Sequence, residues 1–567
     1  MTPGRLAVQV GAALLILGAL FGTAYVQGVQ NAFHPFLFAD DARQQIVPFL
    51  NIESSTPVAA YTPQYYQKVF IPAGVRFLYE TLAGFSDPAF ASVVVSYFLF
   101  FIFCSLMGAS AYRLSGTGFA TLILALSSDL FLERMMGGLP RSFAYPILAG
   151  ALAALVYGRA GWLVVLTILG FAFYPVAGVV CGLTYALWSL LSLKDVESGI
   201  RIRKILNRIR WLGAILFVSL AMTFPQLIAS GDYGSRITQA MWNEFPEAGE
   251  GGRYGANDRP PYPGLIATLQ DMGVATLDGS GYAPVPFLSL KDNESYSTIL
   301  TVFVWLAFAV IAVGGVFALV RKTHTSYLRG LILLPASLLG YFLALVFDPY
   351  LFLPERYLLY TIPVLLIVLA PSAIVLLLQD RMRDKSFVLH ASSFAPVFAL
   401  WLAVGGTGNN MAGLTVRAEA WKPFYEALEN LPKGSLIAGW PGGLVENVPY
   451  LSRRPILISY ETHQVFHSEY ALEMRRRMNA LITAYWAQSA SALRELRDDY
   501  DVDYLIVDLQ HFSSNPPGYF KPFDATIEAA LTRNENRPFY IERRYSEMAL
   551  FQMGTQTLLD LHKLPTE

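Results

Sequence analysis

The chain has 567 residues, of which 54% are hydrophobic and only 15% are charged. Soluble globular proteins average about 25% charged residues, so this composition excludes an ordinary soluble protein and favours a membrane protein. A formal net charge of −1 provides no basic field, and nucleic acid is therefore not expected as a partner.

Apolar runs predict about eleven transmembrane helices, since a helix needs roughly 20 apolar residues to cross a bilayer. The runs cover residues 6–26, 89–111, 117–132, 142–158, 161–173, 176–193, 211–230, 299–320, 330–347, 358–379 and 387–405. The first run is longer than a signal-peptide core of about 7–15 residues, so we expect a retained span. Cys104 and Cys181 both lie in such runs, where a disulfide is not expected.

Basic residues concentrate in alternate loops, as the positive-inside rule requires of a cytoplasmic N-terminus. The basic residues predicted to be cytoplasmic are Arg113, Arg159, Lys194, Arg201, Arg203, Lys204, Arg208, Arg210, Arg321, Lys322, Arg329, Arg381, Arg383 and Lys385. Residues 27–88, 231–298 and 348–357, together with the C-terminal region, then face the outside.

The predicted fold class is mainly α: a polytopic transmembrane helical bundle over 1–405 with an extracytoplasmic α/β domain over 406–567. The second region is more charged and long enough for its own core. Short apolar runs predict buried strands there, and amphipathic segments predict helices. The strands are Ser435–Trp440, Pro455–Ser459 and Tyr504–Val507, and the helices are Glu469–Ala487 and Ala490–Asp499.

Asp40 and Asp41 stand in the first outer loop, in the segment FLFADDARQQIVPFL. Ionised carboxylates are costly close to a bilayer, so a pair of them there indicates a functional site. The alternative is that they cap a short helix formed by ARQQIVPFL on a solvated loop.

A span, an acidic pair that opens an interfacial helix, and a second interfacial segment with a lysine resemble the GT-C superfamily of integral membrane glycosyltransferases. Asp40 to Gln44 resemble the Asp-Glu-x-Arg-Tyr signature of its protein mannosyltransferase and aminoarabinose transferase branch, with Gln44 replacing the tyrosine. The resemblance implies that Asp40 is the catalytic acid, that Asp41 replaces the glutamate and that Arg43 is retained. Lys68 resembles the lysine that contacts the lipid phosphate, although Val69 and Phe70 replace the two prolines after it.

The resemblance also implies a polyprenyl-phosphate-linked sugar donor and a hydroxyl acceptor on a lipid, glycan or protein. It implies a multi-pass protein of the bacterial inner membrane, in contact with membrane lipids, with its C-terminal domain in the periplasm.

The residue types suit this chemistry. A carboxylate that takes the proton of the acceptor hydroxyl as general base contributes about 10²–10⁴-fold in rate. The leaving phosphate needs arginine, lysine or a divalent metal. We expect Asp40 to be the base and Asp41 to orient a group or bind Mg²⁺ or Mn²⁺, and no other cofactor is indicated.

Two further outer loops carry candidate donor-binding residues. Arg134 and Arg141 flank ERMMGGLPRSFAYP, either as a phosphate clamp or as arginines that snorkel from span ends. In DPYLFLPERY, Arg356 is a candidate for the donor phosphate, Glu355 for the sugar hydroxyls and Tyr357 for substrate binding. The alternative is an aromatic-belt loop with a local ion pair.

Three other features have weaker functional readings. The long outer loop 231–298 is either a lid or binding element, or a disordered connector. The glycine-rich segment Trp440–Gly443 lacks the P-loop pattern. His463 and His467 have helical metal-site spacing without a third ligand, so solvated or capping histidines are the favoured interpretation.

Two other functions remain open: a transporter or flippase for a lipid-linked glycan, and a non-catalytic subunit of a polysaccharide assembly system. A transporter carries ionisable groups near the membrane midplane. Asp129 is the main such candidate, and it lies near the outer end of its run, so the enzyme is the favoured reading.

Overall fold

The computed structural model describes residues 32–115, 129–192, 198–255, 259–279, 294–348, 351, 353–378, 413–512, 516–532 and 538–565. The predicted spans 6–26 and 387–405, and most of 117–132, lie outside these residues. The predicted domain boundary at 405/406 lies outside them as well and stays a prediction.

The described part of the chain is mainly helical, and it contains five helices long and apolar enough to cross a membrane. These are Pro88–Ser115, Arg210–Gly231, Tyr296–Val320, Thr325–Val346 and Arg356–Leu377. Shorter apolar helices are Pro140–Val156, Gly161–Phe173, Pro175–Leu191 and Leu265–Leu277. The chain is therefore a multi-pass membrane protein in composition and helix length, while the total of eleven spans stays a prediction.

The α-helices before residue 378 are Ala42–Gln45, Pro57–Tyr65, Ala73–Ala83, Pro88–Ser115, Asp129–Met135, Ala144–Val156, Gly161–Phe173, Pro175–Leu191, Ser198–Gly231, Leu265–Gly279, Glu294–Val320, Thr325–Gly330, Leu333–Val346, Arg356–Leu359 and Thr361–Leu377. Those after residue 412 are Lys422–Glu429, Val448–Ser452, Ser468–Tyr485, Ser491–Tyr500, Phe523–Thr532 and Tyr540–Met548. The helix Leu265–Gly279 lies inside the long outer loop, where the sequence analysis predicted none.

The membrane helices combine tight mutual packing with apolar outer faces. Gly170 and Gly178 let the helices Gly161–Phe173 and Pro175–Leu191 come close, because a Cβ at Gly178 would lie 2.7 Å from the Phe171 nitrogen. Large apolar side chains such as Phe217 and Val302 are exposed instead of buried. Such faces suit a surrounding of lipid chains.

The C-terminal region contains a mixed four-stranded sheet in the order β3-β4-β6-β5. Its strands are β3 (Leu436–Gly439), β4 (Val502–Asp508), β5 (Ala549–Met553) and β6 (Gln556–Asp560). β3 and β4 are parallel, as their apolar character predicts, and β4, β6 and β5 are antiparallel. With its helices this sheet confirms the coarse α/β character of the region.

Two details of the predicted sheet are wrong. The segment Pro455–Ser459 forms only an isolated bridge between Ile456 and Ile437 instead of a strand. The hairpin of β5 and β6 was not predicted, because polar residues interrupt both strands, although the centre of β6 is buried.

The first outer segment is bound to the C-terminal region. β1 (Leu37–Phe38) pairs antiparallel with β2 (Val416–Arg417). The ring of Phe38 stacks on that of Tyr450, with centroids 4.1 Å apart. Asp40 and Asp41 follow β1 directly, so they lie where the membrane helices and the C-terminal region meet.

Candidate active site

Asp40 and Asp41 form the turn between β1 and the helix Ala42–Gln45. One carboxylate oxygen of Asp40, Oδ1, accepts a hydrogen bond of 2.8 Å from the Asp41 amide. The Asp40 amide donates to Thr415 Oγ1 at 3.3 Å. Asp41 occupies the N-cap position, but its side chain makes no capping hydrogen bond. The capping alternative therefore does not describe the Asp41 carboxylate.

The Asp41 carboxylate pairs instead with Arg141, through Oδ2 and Nη1. Arg141 lies in the 3-10 turn Pro140–Phe143, which leads into the membrane helix Ala144–Val156. In the described residues, by contrast, the Asp40 carboxylate makes no ion pair. The two neighbouring acids thus have different electrostatic surroundings.

Glycine directs this turn. Gly137 and Gly138 have φ values of +90° and +58°, which ordinary side chains rarely adopt. A Cβ on Gly138 would also contact the Tyr79 hydroxyl and lie 2.6 Å from the Ser92 carbonyl oxygen. The glycine pair in MMGG therefore permits the reversal after Arg134 that brings Arg141 to Asp41.

Arg43 connects this loop to a buried acid, Glu446, and a half-buried acid, Glu461, of the C-terminal region. Its Nη1 donates to Glu446 Oε2 at 2.7 Å, and its Nη2 lies 3.5 Å from Glu461 Oε1. Its Nε donates to the carbonyl oxygen of Asp40 at 3.1 Å. Arg43 therefore fixes the backbone that carries the candidate base.

Arg253, from the long outer loop, completes the group. Its Nη2 lies 3.6 Å from Glu461 Oε2, and its guanidinium stacks on Tyr460 at 3.8 Å. Burial raises the pKa of Glu461, although Arg253 and Arg43 both act to lower it. Two arginines and two glutamates thus hold three distant parts of the chain together.

A second group of polar side chains lies at the ends of the membrane helices. Three buried donor atoms, Arg141 Nε, Ser142 Oγ and Tyr145 Oη, have no hydrogen-bond partner in the described structure. A buried donor without an acceptor costs about 1–3 kcal/mol, so a ligand that accepts from these atoms would be stabilised. These donors are candidates for binding an anion.

Aromatic contacts connect this group of donors to Arg356. The ring centroids of Tyr145 and Tyr360 are 5.2 Å apart, and those of Tyr360 and Tyr174 are 5.3 Å apart. Arg356 is within hydrogen-bonding reach of the Tyr174 hydroxyl. Tyr174 and Tyr360 occupy the N-cap positions of the helices Pro175–Leu191 and Thr361–Leu377. The structure therefore brings together loops that the charge pattern placed on one side of the membrane.

The other predicted site residues are placed differently. Lys68 is exposed in the turn Tyr66–Phe70 and has no hydrogen bond or ion pair in the described part of the chain. Arg134 is half-buried near the end of the helix Asp129–Met135. Glu355 is half-buried ahead of the short helix Arg356–Leu359. Tyr357 is buried, and its ring fills the space beside Gly340. The substrate roles of all four stay predictions.

A metal at Asp41 has little support from the donor set. Across the residues that the structure describes, no group of three or more His, Cys, Asp or Glu side chains is arranged to hold a metal ion. Asp41 already faces the cationic Arg141. No catalytic step is therefore assigned to Mg²⁺ or Mn²⁺.

His463 and His467 are buried, not solvated, and they do not share a helix face. His467 precedes the helix Ser468–Tyr485, and its Nδ1 lies 2.9 Å from the Tyr65 hydroxyl. His463 Nδ1 lies 3.2 Å from the Tyr519 hydroxyl. Burial lowers the pKa of His463 to about 3 and that of His467 to about 4, so both rings are neutral at pH 7.

The first described part of the long outer loop, up to residue 255, is packed on the C-terminal region. Glu247 is buried and forms a two-point ion pair with Arg475, at 2.5 and 2.7 Å. Tyr254 accepts from the Val465 amide at 2.9 Å. These contacts contradict the disordered-connector alternative for these residues, and the role of lid or binding element stays a prediction.

An open cleft of about 510 Å³ lies beside this network, between the segment after β3 and residues 518–520. Its lining residues are Pro441, Gly442, Glu446, Tyr460, Gly518, Tyr519 and Phe520. Glu446, Glu461 and Arg253 were not predicted as site residues, because their partners are distant in the chain. Only the glycine-rich Trp440–Gly443 segment pointed to this place.

No family model and no curated protein matches the sequence. Among solved structures, the chain is similar to the archaeal oligosaccharyltransferase AglB from Archaeoglobus fulgidus in complex with an inhibitory peptide and a dolichol-phosphate. That likeness has a TM-score of 0.47 and 10% identity, over 90% of this chain and 70% of AglB. The apo form of the same enzyme has a TM-score of 0.48 and 11% identity, over 89% of this chain and 70% of the enzyme.

The chain is also similar to ArnT from Cupriavidus metallidurans bound to undecaprenyl phosphate, at a TM-score of 0.42 and 12% identity over 100% of both chains. AglB and ArnT both belong to the GT-C superfamily, which the first outer loop resembles.

Proposed function

We propose that this chain is a membrane glycosyltransferase that moves a sugar from a polyprenyl-phosphate carrier to an acceptor hydroxyl. One juxtaposition supports the proposal most. Asp40, a carboxylate without an ion pair among the described residues, lies next to the Asp41–Arg141 pair, where buried donors lack acceptors. A base and an anion site side by side are what this transfer requires.

The unpartnered donors of Arg141, Ser142 and Tyr145 form the donor-phosphate site in this proposal. Phosphate oxygens accept hydrogen bonds from guanidinium and hydroxyl groups, and the bonds are strengthened by the charge. Arg356 adds a second cation, reached through Tyr174 and Tyr360.

The N-termini of three apolar helices favour the same anion. The helices Ala144–Val156, Pro175–Leu191 and Thr361–Leu377 begin at residues whose rings are in contact. Helix N-termini carry a partial positive charge. The polyprenyl tail would lie along the apolar faces of the bundle.

In the transfer step, Asp40 Oδ2 takes the proton of the acceptor hydroxyl while the acceptor oxygen bonds to the anomeric carbon. The bond from that carbon to the phosphate oxygen breaks, and the polyprenyl phosphate leaves with the electron pair. Arg141 and the neighbouring donors stabilise the charge that develops on the phosphate.

The Asp41 carboxylate is engaged by Arg141, whereas Oδ2 of Asp40 has no ion-pair partner among the described residues and is the oxygen we assign to the acceptor proton. Asp41 is therefore a positioning residue that orients Arg141, and Arg43 positions Asp40 through its backbone. We place the site at the outer face of a bacterial inner membrane, with residues 413–565 in the periplasm. The sugar class is left to experiment.

The test is the conversion of Asp40 to Asn, which preserves shape and removes the basic oxygen. Sugar transfer from lipid-linked donors extracted from the native membrane should fall about 10²–10⁴-fold. Release of polyprenyl phosphate measures the reaction. Asp524→Asn is the matched control, since Asp524 is exposed on the helix Phe523–Thr532.

Full transfer by a folded Asp40→Asn variant would exclude Asp40 as the base. A protein that moves lipid-linked glycan across vesicles without releasing polyprenyl phosphate would instead be a flippase. If the wild type does neither, the non-catalytic subunit is the correct alternative.

A further inference from the structure

The cleft beside the charge network has walls of two kinds. Tyr460, Tyr519 and Phe520 supply aromatic rings, and Tyr519 and Phe520 stack with centroids 4.3 Å apart. Glu446 supplies a carboxylate, of which Oε2 is held by Arg43 and Oε1 accepts from the Glu461 amide. Aromatic surface with a few fixed polar groups is the usual lining of a small-molecule site.

The glycines of the cleft keep it open. Gly442 has a φ of +134°, and a Cβ on Gly442 or on Gly518 would have no heavy atom within 4 Å. The backbone on both sides of the cleft is therefore accessible to a ligand.

The charges argue against an anionic ligand. Glu446 lines the cleft, and the adjacent cation Arg253 is stacked on Tyr460 and paired with Glu461. A phosphate would meet a carboxylate at close range, which is unfavourable. The cleft therefore differs in its chemistry from the proposed donor-phosphate site at Arg141.

The cleft is also a poor place for an extended peptide. Peptides in grooves commonly add a strand to an exposed sheet edge. The lining residues lie in loops and in the 3-10 turn Val445–Asn447, and the free edge of β3, the strand that precedes the cleft, is already hydrogen-bonded to Pro455 and Leu457. A sugar ring suits the cleft better, since its C–H face packs on aromatic rings and its hydroxyls donate to a carboxylate.

Two hydrogen bonds connect the lining of the cleft to the backbone of the candidate base. Glu446 Oε2 is 2.7 Å from Arg43 Nη1, and Arg43 Nε is 3.1 Å from the Asp40 carbonyl oxygen. A saccharide longer than one unit, seated on Tyr460 and Tyr519, would extend along these contacts towards Asp40.

We infer that the cleft binds a neutral saccharide chain and presents its terminal hydroxyl to Asp40, so that the acceptor is a glycan. The role as acceptor rests on the proposed function, whereas saccharide binding by the cleft can be measured without it.

The experiment uses the full-length protein in nanodiscs and an array of neutral oligosaccharides as the probe. Gly518→Leu is the blocking variant, because its side chain enters open space and φ at this position is not in the left-handed region. Gly231→Leu is the matched control, as a Cβ there also meets open space, at the end of the helix Ser198–Gly231.

The wild type and Gly231→Leu should bind at least one oligosaccharide, and Gly518→Leu should bind it at least tenfold more weakly. In transfer assays, Gly518→Leu should raise the KM for the acceptor and leave the KM for the donor unchanged. Absence of binding by the wild type, or equal binding by the two leucine variants, would overturn the inference.

Asp40→Asn separates the two proposals. If Asp40→Asn abolishes transfer and no neutral oligosaccharide binds, Asp40 remains the proposed base and the proposal of a glycan-binding cleft is wrong. If an oligosaccharide binds in a Gly518-dependent manner while Asp40→Asn transfers normally, the cleft stands as a saccharide site and the base fails.

Discussion

Neighbouring residues of the same type have different partners in this protein. The Asp41 carboxylate faces the guanidinium of Arg141, whereas the Asp40 carboxylate accepts only from the backbone amide of the next residue among the described atoms. A carboxylate that is paired with a cation is held in that contact, whereas one without a cation partner is available to an incoming hydroxyl group. The surroundings, and not the residue type, therefore favour Asp40 as the base.

Two histidines of the C-terminal region show the same dependence on surroundings. His463 and His467 are enclosed by aromatic rings, among them Tyr519, Phe520 and Tyr65. Burial penalises the charged imidazolium, which lowers both pKa values.

The stability of the protein should consequently fall in mild acid. Above pH of about 6.5 both histidines are neutral in the folded and the unfolded chain, and they have no effect. Below it the unfolded chain binds protons that the folded chain cannot, until the pH reaches the folded pKa values of about 3 and about 4. At pH 5, each histidine lowers the free energy of unfolding by about 2 kcal/mol relative to neutral pH.

This effect can be measured by thermal unfolding of the full protein in buffers from about pH 7.5 to about pH 4.5. The double variant His463→Gln, His467→Gln should lose less stability in acid than the wild type. His324→Asn is the control, because His324 lies outside the C-terminal region and has the positive φ that Asn tolerates. Parallel pH profiles for the wild type and the double variant would contradict the prediction.

Short irregular segments, more than the long helices, position the residues of the candidate site. The turn around Gly137 and Gly138 sets the direction of Arg141, and β1 holds Asp40 against the C-terminal region. Loops on a rigid scaffold commonly carry the functional residues of a protein.

We expect Gly138→Ala to disturb this turn strongly. The added methyl group would contact the Tyr79 hydroxyl and the Ser92 carbonyl, and alanine resists a φ of +58°. Such changes cost on the order of 1–3 kcal/mol. Transfer activity and thermal stability should both fall.

Gly84→Ala is the matched control, since its Cβ would meet only one atom, at 3.4 Å, and φ at Gly84 is negative. Equal activity and equal thermal midpoints of the two alanine variants would show that the Gly138 turn is not essential.

Across the whole molecule, three distant segments converge on one point. The first outer loop supplies Arg43, the long outer loop supplies Arg253, and the C-terminal region supplies Glu446 and Glu461. The membrane helices reach the same point through Arg141. Loops that were predicted to be on one side of the membrane are therefore in contact.

The orientation in the membrane can be tested with cysteine labelling. Cys104 and Cys181 are both buried, so the background from these natural cysteines should be low. An impermeant maleimide applied to intact spheroplasts should label Lys433→Cys, which is exposed in the C-terminal region. Thr323→Cys, exposed in a predicted cytoplasmic loop, should be labelled only after permeabilisation. The reverse pattern would overturn the proposed orientation.

The sequence by itself determined the membrane class, most of the described apolar helices and the two parallel strands, because these follow from local composition and periodicity. It also located the acidic pair, and with it Arg43 and Arg141. Only the tertiary structure decided which acid has a cation, which buried donors lack partners, and which glutamates join the loop. Those features depend on contacts between residues hundreds of positions apart, such as the pair Arg43 and Glu446. No local pattern encodes such pairings, since they arise when burial forces each charge and donor to find a partner.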